Sequence, residues 1–338
     1  MFDFFNVNSN IFLLIAVVVV AFLLIIYGGN FFVDSAIWMA KVTHIPQIII
    51  GATIVSIGTT LPEIFTSYMA AGIGQTTMAV GNATGSILCN FALVFGLTLI
   101  AFTVLVNKKE FLQKFIILLV SVILLIVFSL DKKIALFEGL ILTAIFVVFM
   151  TLNIISAVKE MKANKGLIEE DTSYKDKKAW VMILLFVVGA VGIAFGANLM
   201  IDSVSAIAEK AGISEQVISL TVVALGTSLP ELITTITSII KKNSDISLGN
   251  ILGANILNAT LITGGSVLIA NGIDVPPTDM VSLMVSFGII FALIAVLSIP
   301  IILKSRTFKW QGIVFESLYV CYLAFLILQL VGVIPYAF

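Results

Sequence analysis

The chain has 338 residues, of which 60% are hydrophobic and only 11% are charged, and its mean hydropathy is +1.18. This composition excludes a soluble globular domain and a disordered chain, because long uncharged runs such as residues 11–27 and 115–130 are typical of membrane spans. The formal net charge of −1 gives no sign of a nucleic-acid partner.

The apolar runs predict an all-α integral protein of the cell membrane. A helix rises about 1.5 Å per residue, so about 20 apolar residues cross a bilayer. The first and sixth of the predicted helices are longer than this, and we expect them to be tilted. In chain order, the ten predicted helices cover residues 11–41, 46–70, 76–104, 111–129, 134–158, 179–209, 214–240, 246–271, 278–304 and 311–335.

One hydrophilic segment, residues 159–178, divides these helices into two sets of five. It mixes Lys, Glu and Asp, as a flexible linker does. We therefore predict a first five-helix repeat in residues 1–158 and a second in residues 179–338. Because each set contains an odd number of helices, the second must insert with the opposite orientation, which is the inverted-repeat plan.

The basic residues predict the orientation in the membrane. If the N-terminus lies outside, 15 of the 18 Lys and Arg residues fall in cytoplasmic loops, and the other 3 are Lys132, Lys133 and Lys210. Loops rich in Lys and Arg stay on the cytoplasmic side of a membrane. The sequence therefore predicts both termini outside and the linker in the cytoplasm.

A six-residue motif occurs twice in the chain, once inside the second and once inside the seventh predicted helix. Gly58-Thr59-Thr60-Leu61-Pro62-Glu63 returns 168 residues later as Gly226-Thr227-Ser228-Leu229-Pro230-Glu231. The same offset relates further identical positions without a gap, most densely in residues 51–96 and 219–264. The two halves of the chain therefore descend from one duplicated unit.

Glu63 and Glu231 are the strongest candidates for a functional site. A carboxylate in lipid costs several kcal/mol unless it faces a cavity and has a partner. Each follows a Pro, which lacks an N–H and frees carbonyls of the preceding turn. We therefore expect unwound backbone at Gly58-Thr59 and Gly226-Thr227, lining a cavity. Carboxylates, carbonyls and hydroxyls together suit a hard cation such as Ca²⁺, which takes about 6–8 oxygen ligands.

The second duplicated segment adds neutral oxygens. Asn90 and Asn258 supply amide carbonyls, and Ser86 supplies a hydroxyl that its counterpart Ala254 lacks. Such residues also fit simple helix packing or interhelical hydrogen bonds. Four further acidic residues lie near helix ends or interfaces and receive no assigned role: Asp34, Asp202, Glu138 and Glu316.

With these motifs, residues 51–96 and 219–264 resemble the two α-repeats of the cation/Ca²⁺ exchanger superfamily, in the prokaryotic members of its sodium/calcium exchanger branch. The resemblance implies an antiporter that exchanges several Na⁺ for one Ca²⁺ by alternating access, as the first and sixth helices slide against the other eight. It implies no cofactor, and we expect the protein to function as a monomer in the lipid bilayer.

The resemblance also implies the ligands. Ca²⁺ would be held by Glu63 and Glu231 with the carbonyls of Thr59 and Thr227. The implied Na⁺ ligands are the backbone oxygens of Ser56 and Ala224, and Thr60, Ser86 and Ser228, with Asn90 and Asn258 nearby.

Three positions depart from the family's pattern. Thr60 replaces the usual Ser, which retains the hydroxyl. Ala254 lacks a hydroxyl, which weakens one Na⁺ position or leaves it to a backbone oxygen or water. Asn258 stands where K⁺-dependent exchangers have Asp, which disfavours K⁺ cotransport.

Other functions remain open at this point. Two nearby carboxylates can share a proton when a metal ion leaves, so exchange of H⁺ for Ca²⁺ or another divalent cation is the main alternative. A cation channel is a more distant alternative, because inverted repeats that meet at one site do not form a continuous pore. An intramembrane enzyme is not expected, since the chain has no His-Glu-x-x-His or Gly-x-Ser-x-Gly motif.

Overall fold

The computed structural model describes residues 9–104, 106–164, 178–211, 224–275, 277–330 and 333. Within these ranges, nine helices are long and apolar enough to cross a membrane. The predicted all-α membrane architecture is therefore confirmed for the described part of the chain. Parts of the predicted seventh helix and of the predicted linker lie outside the described residues.

The helices follow the predicted order, and we number them α1 to α10. Where the end of a helix falls among the described residues, it lies within six residues of the predicted end, whereas the predicted start of the seventh helix falls outside them. The largest difference is at the end of α5, which continues through Asn164 because Lys, Glu, Met and Ala are good helix formers. The helices are α1 (Ile11–Thr43), α2 (Gln47–Ile50, Gly51–Val55 and Ser56–Gly72), α3 (Thr76–Cys89, Asn90–Phe95 and Gly96–Ala101), α4 (Lys108–Ser129), α5 (Leu136–Asn164), α6 (Ala179–Lys210), α7 (Ala224–Thr227 and Leu229–Ile240), α8 (Ser244–Leu257, Asn258–Ile262 and Thr263–Ala270), α9 (Pro277–Lys304) and α10 (Lys309–Leu330).

Among the described residues, three membrane helices contain a π-helical turn that the sequence does not predict. The turns are Gly51–Val55 in α2, Asn90–Phe95 in α3 and Asn258–Ile262 in α8. A π-turn closes i→i+5 hydrogen bonds and so accommodates one extra residue, and such turns are frequent at functional sites. The turns in α3 and α8 both begin at the Asn of the second duplicated segment.

The chain forms two compact units, and each unit draws helices from both halves of the sequence. The first unit comprises Met1–Thr59 and Asn153–Asn250, and the second comprises Thr60–Leu152 and Ile251–Phe338. The boundaries fall within α2, α5 and α8.

Close backbone contact between α1 and α6 organises the first unit. A Cβ atom at Gly28 would lie 2.9 Å from the carbonyl oxygen of Gly189, and a Cβ atom at Gly196 would lie 2.9 Å from the carbonyl oxygen of Ala21. Small residues therefore let the two helices touch along their backbones. The ring of Phe32 in α1 stacks on Phe186 in α6, with ring centroids 4.4 Å apart.

Two similar glycine contacts organise the second unit. A Cβ atom at Gly264 in α8 would lie 2.8 Å from the carbonyl oxygen of Gly139 in α5. Gly312 in α10 lies as closely against α3, where its Cβ would lie 2.7 Å from the backbone nitrogen of Ile100. Two short antiparallel strands, β1 (Lys133–Ile134) and β2 (Ile273–Asp274), pair the loop before α5 with the loop before α9.

Candidate functional site

Both duplicated glutamates are buried inside the protein. Glu63 is 1% exposed and Glu231 is 0% exposed. Because both side chains are buried within apolar helices, neither of them faces the lipid. Because a buried carboxylate is unfavourable without compensating polar groups or a cation, this placement is the one that a cation ligand requires.

The first copy of the motif is a continuous helix, so the prediction of unwound backbone at Gly58-Thr59 is wrong. The segment Ser56–Gly72 remains α-helical with Pro62 in its interior. The distortion lies earlier, in the π-turn Gly51–Val55. Pro62 still removes one N–H, so the carbonyl of Gly58 loses the donor that it would have in a regular helix.

The second copy is interrupted, but at Ser228 and not at Gly226-Thr227 as predicted, because those two residues are helical. The helical segment Ala224–Thr227 stops before Ser228, whose backbone angles are φ −88° and ψ 2°, and α7 restarts at Leu229. Glu231 therefore lies in the first turn of a new helix. Unpaired N–H groups and the helix dipole favour a negative charge at that position.

Thr59 is tied to α8 through its side chain. Its hydroxyl lies 3.1 Å from Oδ1 of Asn250 and 3.3 Å from the carbonyl oxygen of Ser56, which are its two possible acceptors. Ser56, Thr59 and Asn250 are all buried. Asn250 has no predicted role, although its place in the duplicated Gly-Asn pair is a usable signal in the sequence.

Asn82 is the corresponding residue of the first Gly-Asn pair, and it contacts α2 one to two turns after Thr59. Its amide donates to Ser67 Oγ at 2.9 Å and lies 3.4 Å from the carbonyl oxygen of Glu63. Both Asn residues therefore contact α2 around the first Pro-Glu segment. Asn250 contacts the side chain of Thr59, and Asn82 contacts Ser67 and lies near the carbonyl of Glu63. Sequence reasoning missed this second role too.

Asn90 and Asn258 begin the π-turns of α3 and α8 and are fully buried. Asn258 donates its amide to the carbonyl oxygen of Ala254 at 2.9 Å, which leaves Oδ1 as the acceptor atom. Within the described part of the chain, neither that oxygen nor the side-chain amide of Asn90 has a hydrogen-bond partner. Buried amide oxygens of this kind can bind a hard cation.

The other predicted ligands are placed as follows. Thr60, Ser86 and Ser228 are buried, whereas Thr227 is partly buried. Ala224 begins a helical segment. Among the described residues, no group of three or more His, Cys, Asp and Glu side chains could hold a metal ion. A cation bound by either glutamate would therefore need neutral oxygens to complete its coordination.

Two of the four unassigned acidic residues have local roles of their own, and a third is buried as Glu63 and Glu231 are. Asp34 is about half exposed and lies 2.7 Å from the Lys241 ammonium. Glu138 accepts a hydrogen bond from the backbone N–H of Ala135 at 2.7 Å and so caps the start of α5. Asp202 in α6 is buried.

Apolar spanning helices and two buried carboxylates in duplicated Pro-Glu segments define a multi-pass membrane protein of the cation-transporter class. The sequence profile of the family described as sodium/calcium exchanger protein matches residues 13–155 and 181–328. The chain therefore belongs to the sodium/calcium exchanger family, within the prokaryotic branch of the cation/Ca²⁺ exchanger superfamily.

Individual relatives agree with this assignment. An uncharacterized membrane protein of Methanocaldococcus jannaschii is 31% identical over 306 residues, which cover 89% of this chain and 94% of the relative. The sodium/calcium exchanger MaX1 of Methanosarcina acetivorans is 27% identical over 344 residues, covering 89% and 95%. The structure of the sodium-calcium exchanger NCX_Mj soaked with Na⁺ and Sr²⁺ superposes with a TM-score of 0.78 at 27% identity, covering 93% of this chain and 99% of that one.

Proposed function

We propose that this protein exchanges Na⁺ for Ca²⁺ across the cell membrane by alternating access, at one site to which Glu63 and Glu231 both contribute. The observation that carries the proposal is the burial of both duplicated carboxylates in a chain of the sodium/calcium exchanger family. Two relatives whose names or structures identify them as sodium/calcium exchangers match nearly the whole chain, which supports the choice of ions.

The proposed Ca²⁺ ligands are the two carboxylates with the carbonyls of Thr59 and Thr227. The hydrogen bond between Thr59 and Asn250 supports this assignment, because it fixes the backbone of α2 next to the carbonyl. Two charges and several neutral oxygens suit Ca²⁺, whereas Mg²⁺ retains its water ligands. No cofactor is needed, since the ions are the substrates.

The proposed Na⁺ positions use neutral oxygens around the two carboxylates. Asn258 supports this role, because its Oδ1 is a buried acceptor with no hydrogen-bond partner within the described residues. The same holds for the hydroxyl of Ser228. The remaining proposed Na⁺ ligands are the backbone oxygens of Ser56 and Ala224, the hydroxyls of Thr60 and Ser86, and the amide of Asn90.

We further propose that residues 1–158 and 179–338 are inverted repeats, with both termini outside. The contact between α1 and α6 supports this arrangement, because it is symmetric under the duplication. At the offset of 168 residues, Gly28 corresponds to Gly196 and Ala21 corresponds to Gly189. The contact between Gly28 and Gly189 is therefore the counterpart of the contact between Gly196 and Ala21. The excess of Lys and Arg in alternate loops supports the orientation.

Calcium uptake into proteoliposomes tests the function. Vesicles that contain purified protein and Na⁺ are diluted into Na⁺-free buffer with radioactive Ca²⁺, and vesicles without protein serve as the blank. We expect Ca²⁺ to accumulate only when Na⁺ is inside. Because several Na⁺ leave for each Ca²⁺ that enters, net positive charge leaves the vesicle, and a membrane potential that is negative inside should slow Ca²⁺ uptake. Accumulation driven by a pH gradient and independent of Na⁺ would assign the protein to H⁺/Ca²⁺ exchange instead. A current without counter-ion coupling would indicate a channel.

A further inference from the structure

Asn250 is a buried polar residue that is not itself among the proposed ligands. Its side chain is 0% exposed, and its one side-chain hydrogen bond within the described residues joins Oδ1 to the hydroxyl of Thr59 at 3.1 Å. The amide nitrogen Nδ2 has no hydrogen-bond partner among those residues. A buried amide is unfavourable unless its hydrogen bonds are made, so an apolar side chain would be better tolerated at this position. The bond to Thr59 is therefore what an Asn provides here and an apolar residue does not.

A close crossing of α2 and α8 brings Asn250 to Thr59. A Cβ atom at Gly51 would lie 3.0 Å from the backbone nitrogen of Asn250, and a Cβ atom at Gly249 would lie 2.9 Å from the backbone nitrogen of Ala52. The two glycines therefore let the helix backbones touch. Because this contact is made by the backbones, it does not depend on the amide group of Asn250.

The hydroxyl of Thr59 has two acceptors within reach but only one proton. Besides Oδ1 of Asn250, the carbonyl oxygen of Ser56 lies 3.3 Å from it. A Thr side chain has a single O–H donor, so the two acceptors compete for the same proton. The shorter of the two contacts is the one with Asn250.

The carbonyl of Ser56 is one of the backbone oxygens that the proposed Na⁺ positions use. A carbonyl oxygen has two lone pairs. Since the segment Ser56–Gly72 is α-helical, one lone pair accepts the N–H of Thr60, four residues later. The other lone pair is left for the Thr59 proton or for a cation, and it does not serve both at once.

We propose that Asn250 is a positioning residue that draws the proton of Thr59 away from Ser56 and so leaves the Ser56 carbonyl open to Na⁺. This inference rests on the proposed function, in which that carbonyl is a Na⁺ ligand. The proposed Ca²⁺ ligand is the carbonyl of Thr59 and not its hydroxyl, so Asn250 affects Na⁺ more than Ca²⁺. The duplicated residue Asn82 donates its amide to Ser67, so the two Asn residues differ in the group that they offer.

Two substitutions of Asn250 test the need for an acceptor. Asn250→Leu removes it at similar volume, so that the Thr59 proton turns to Ser56. We expect this variant to raise the Na⁺ concentration for half-maximal exchange roughly threefold to tenfold, the range for one hydrogen bond, and to change the half-saturating Ca²⁺ concentration less than about twofold. Asn250→Asp keeps an acceptor oxygen and should not raise the Na⁺ concentration. A rise as large as that of the Leu variant would overturn the proposal.

Gln47→Leu is the packing control, because it removes another hydrogen bond that joins α2 to the start of α8. Nε2 of Gln47 donates to Oδ1 of Asn243, the residue before α8, at 2.6 Å. This variant should leave the Na⁺ dependence unchanged. A shift equal to that of Asn250→Leu would mean that loosening α2 from α8 is sufficient, and the positioning role would be refuted.

A double-mutant cycle with Thr59→Val tests whether Asn250 acts through the Thr59 proton. Val has nearly the volume of Thr but no hydroxyl, so nothing competes with a cation for the Ser56 carbonyl. In this background Asn250→Leu should change the Na⁺ dependence less than about twofold, as expected when the effect requires both partners. An effect as large as in the presence of Thr59 would show that Asn250 acts by packing alone, against the proposal.

Na⁺ binding to the purified protein gives a test that does not depend on transport. An ion that binds the folded state raises the unfolding temperature as its concentration increases. Protein in detergent is heated at increasing NaCl, with choline chloride keeping the ionic strength constant, and the same curves show that each variant is folded. We expect Asn250→Leu to need roughly three to ten times more Na⁺ than the wild type for the same stabilisation.

The outcomes of this test separate the positioning role from the proposed function. Equal Na⁺ affinities in the wild type and Asn250→Leu overturn the positioning role even if Na⁺-driven Ca²⁺ uptake is present. Weaker Na⁺ binding by Asn250→Leu, in a protein without Na⁺-driven uptake, supports the positioning role and refutes the proposed function alone.

Discussion

Glu63 and Glu231 have the same side chain and the same preceding Pro, but their local surroundings differ. Glu63 follows Pro62 inside a continuous helix, whereas Glu231 lies in the first turn after the break at Ser228. A helix N-terminus favours a nearby anion by about 0.3–1 kcal/mol at exposed sites. The two carboxylates of the proposed site are therefore chemically alike but not equivalent, a difference that the near-identical motifs do not reveal.

Neutralising either glutamate should abolish Ca²⁺ transport. Glu63→Gln and Glu231→Gln each halve the negative charge that the two side chains offer to Ca²⁺ while preserving their volume. We expect uptake by both variants to fall to the level of vesicles without protein, measured as Na⁺-driven uptake of radioactive Ca²⁺. Glu138→Gln is the matched control, because its amide oxygen can still cap Ala135. Near-normal uptake in either site variant would refute that glutamate's role.

At the scale of the helices, the length of the apolar runs was sufficient to predict the type, the order and the approximate ends of the described helices. The π-turns could not be predicted, because an i→i+5 hydrogen bond leaves no residue signature comparable to Pro or Gly. The same limit explains the wrong expectation at Gly58-Thr59. Pro62 does free a carbonyl, but the π-turn Gly51–Val55 takes up the distortion instead, and the helix continues.

Burial of the two glutamates could be predicted, whereas the residues that support them could not. A carboxylate within an apolar run has few alternatives to the protein interior. Asn82 and Asn250 look like ordinary helix-packing residues in a sequence, and their contacts with α2 depend on how the helices approach each other. The duplication singles out the two Asn residues, but the groups that they contact are visible only in three dimensions.

A side chain at the α1–α6 crossing should destabilise the protein. Gly28→Ala would bring its Cβ to 2.9 Å from the carbonyl oxygen of Gly189 and 3.0 Å from the nitrogen of Ile193, so the helices must separate. We expect thermal unfolding in detergent to shift to a lower temperature, with a loss of about 1–3 kcal/mol in unfolding free energy, as in overpacked cores.

Gly288→Ala in α9 is the matched control for this prediction. Among the described residues, no atom other than those of its chain neighbours and its own helix backbone lies within 4 Å of the position that its Cβ would take. Since Ala is about 1 kcal/mol better than Gly inside a helix, this variant should be as stable as the wild type or more so. If Gly28→Ala unfolds at the same temperature as Gly288→Ala, the α1–α6 crossing is looser than the structure indicates.

At the scale of the whole molecule, the loops before α4 and before α5 should lie on opposite sides of the membrane. The proposed orientation places Lys109 in the cytoplasm and Lys133 outside, and both side chains are exposed. Each is replaced by Cys in a protein with Cys89→Ala and Cys321→Ala. In intact cells, a thiol reagent that cannot cross the membrane should label the Lys133→Cys variant alone. Labelling of Lys109→Cys instead would reverse the proposed topology.

The matching π-turns of α3 and α8 also bear on the history of the chain. They begin at Asn90 and Asn258, which are 168 residues apart, and the two halves align around them without a gap. One codon inserted into the ancestral gene before its duplication accounts for the extra residue in both helices. The ancestral half-protein then already carried the distorted helix, and only later did the two copies come to differ at the residue that follows the turn, where one has Thr263, whose hydroxyl donates to the carbonyl of Asn258, and the other has Phe95.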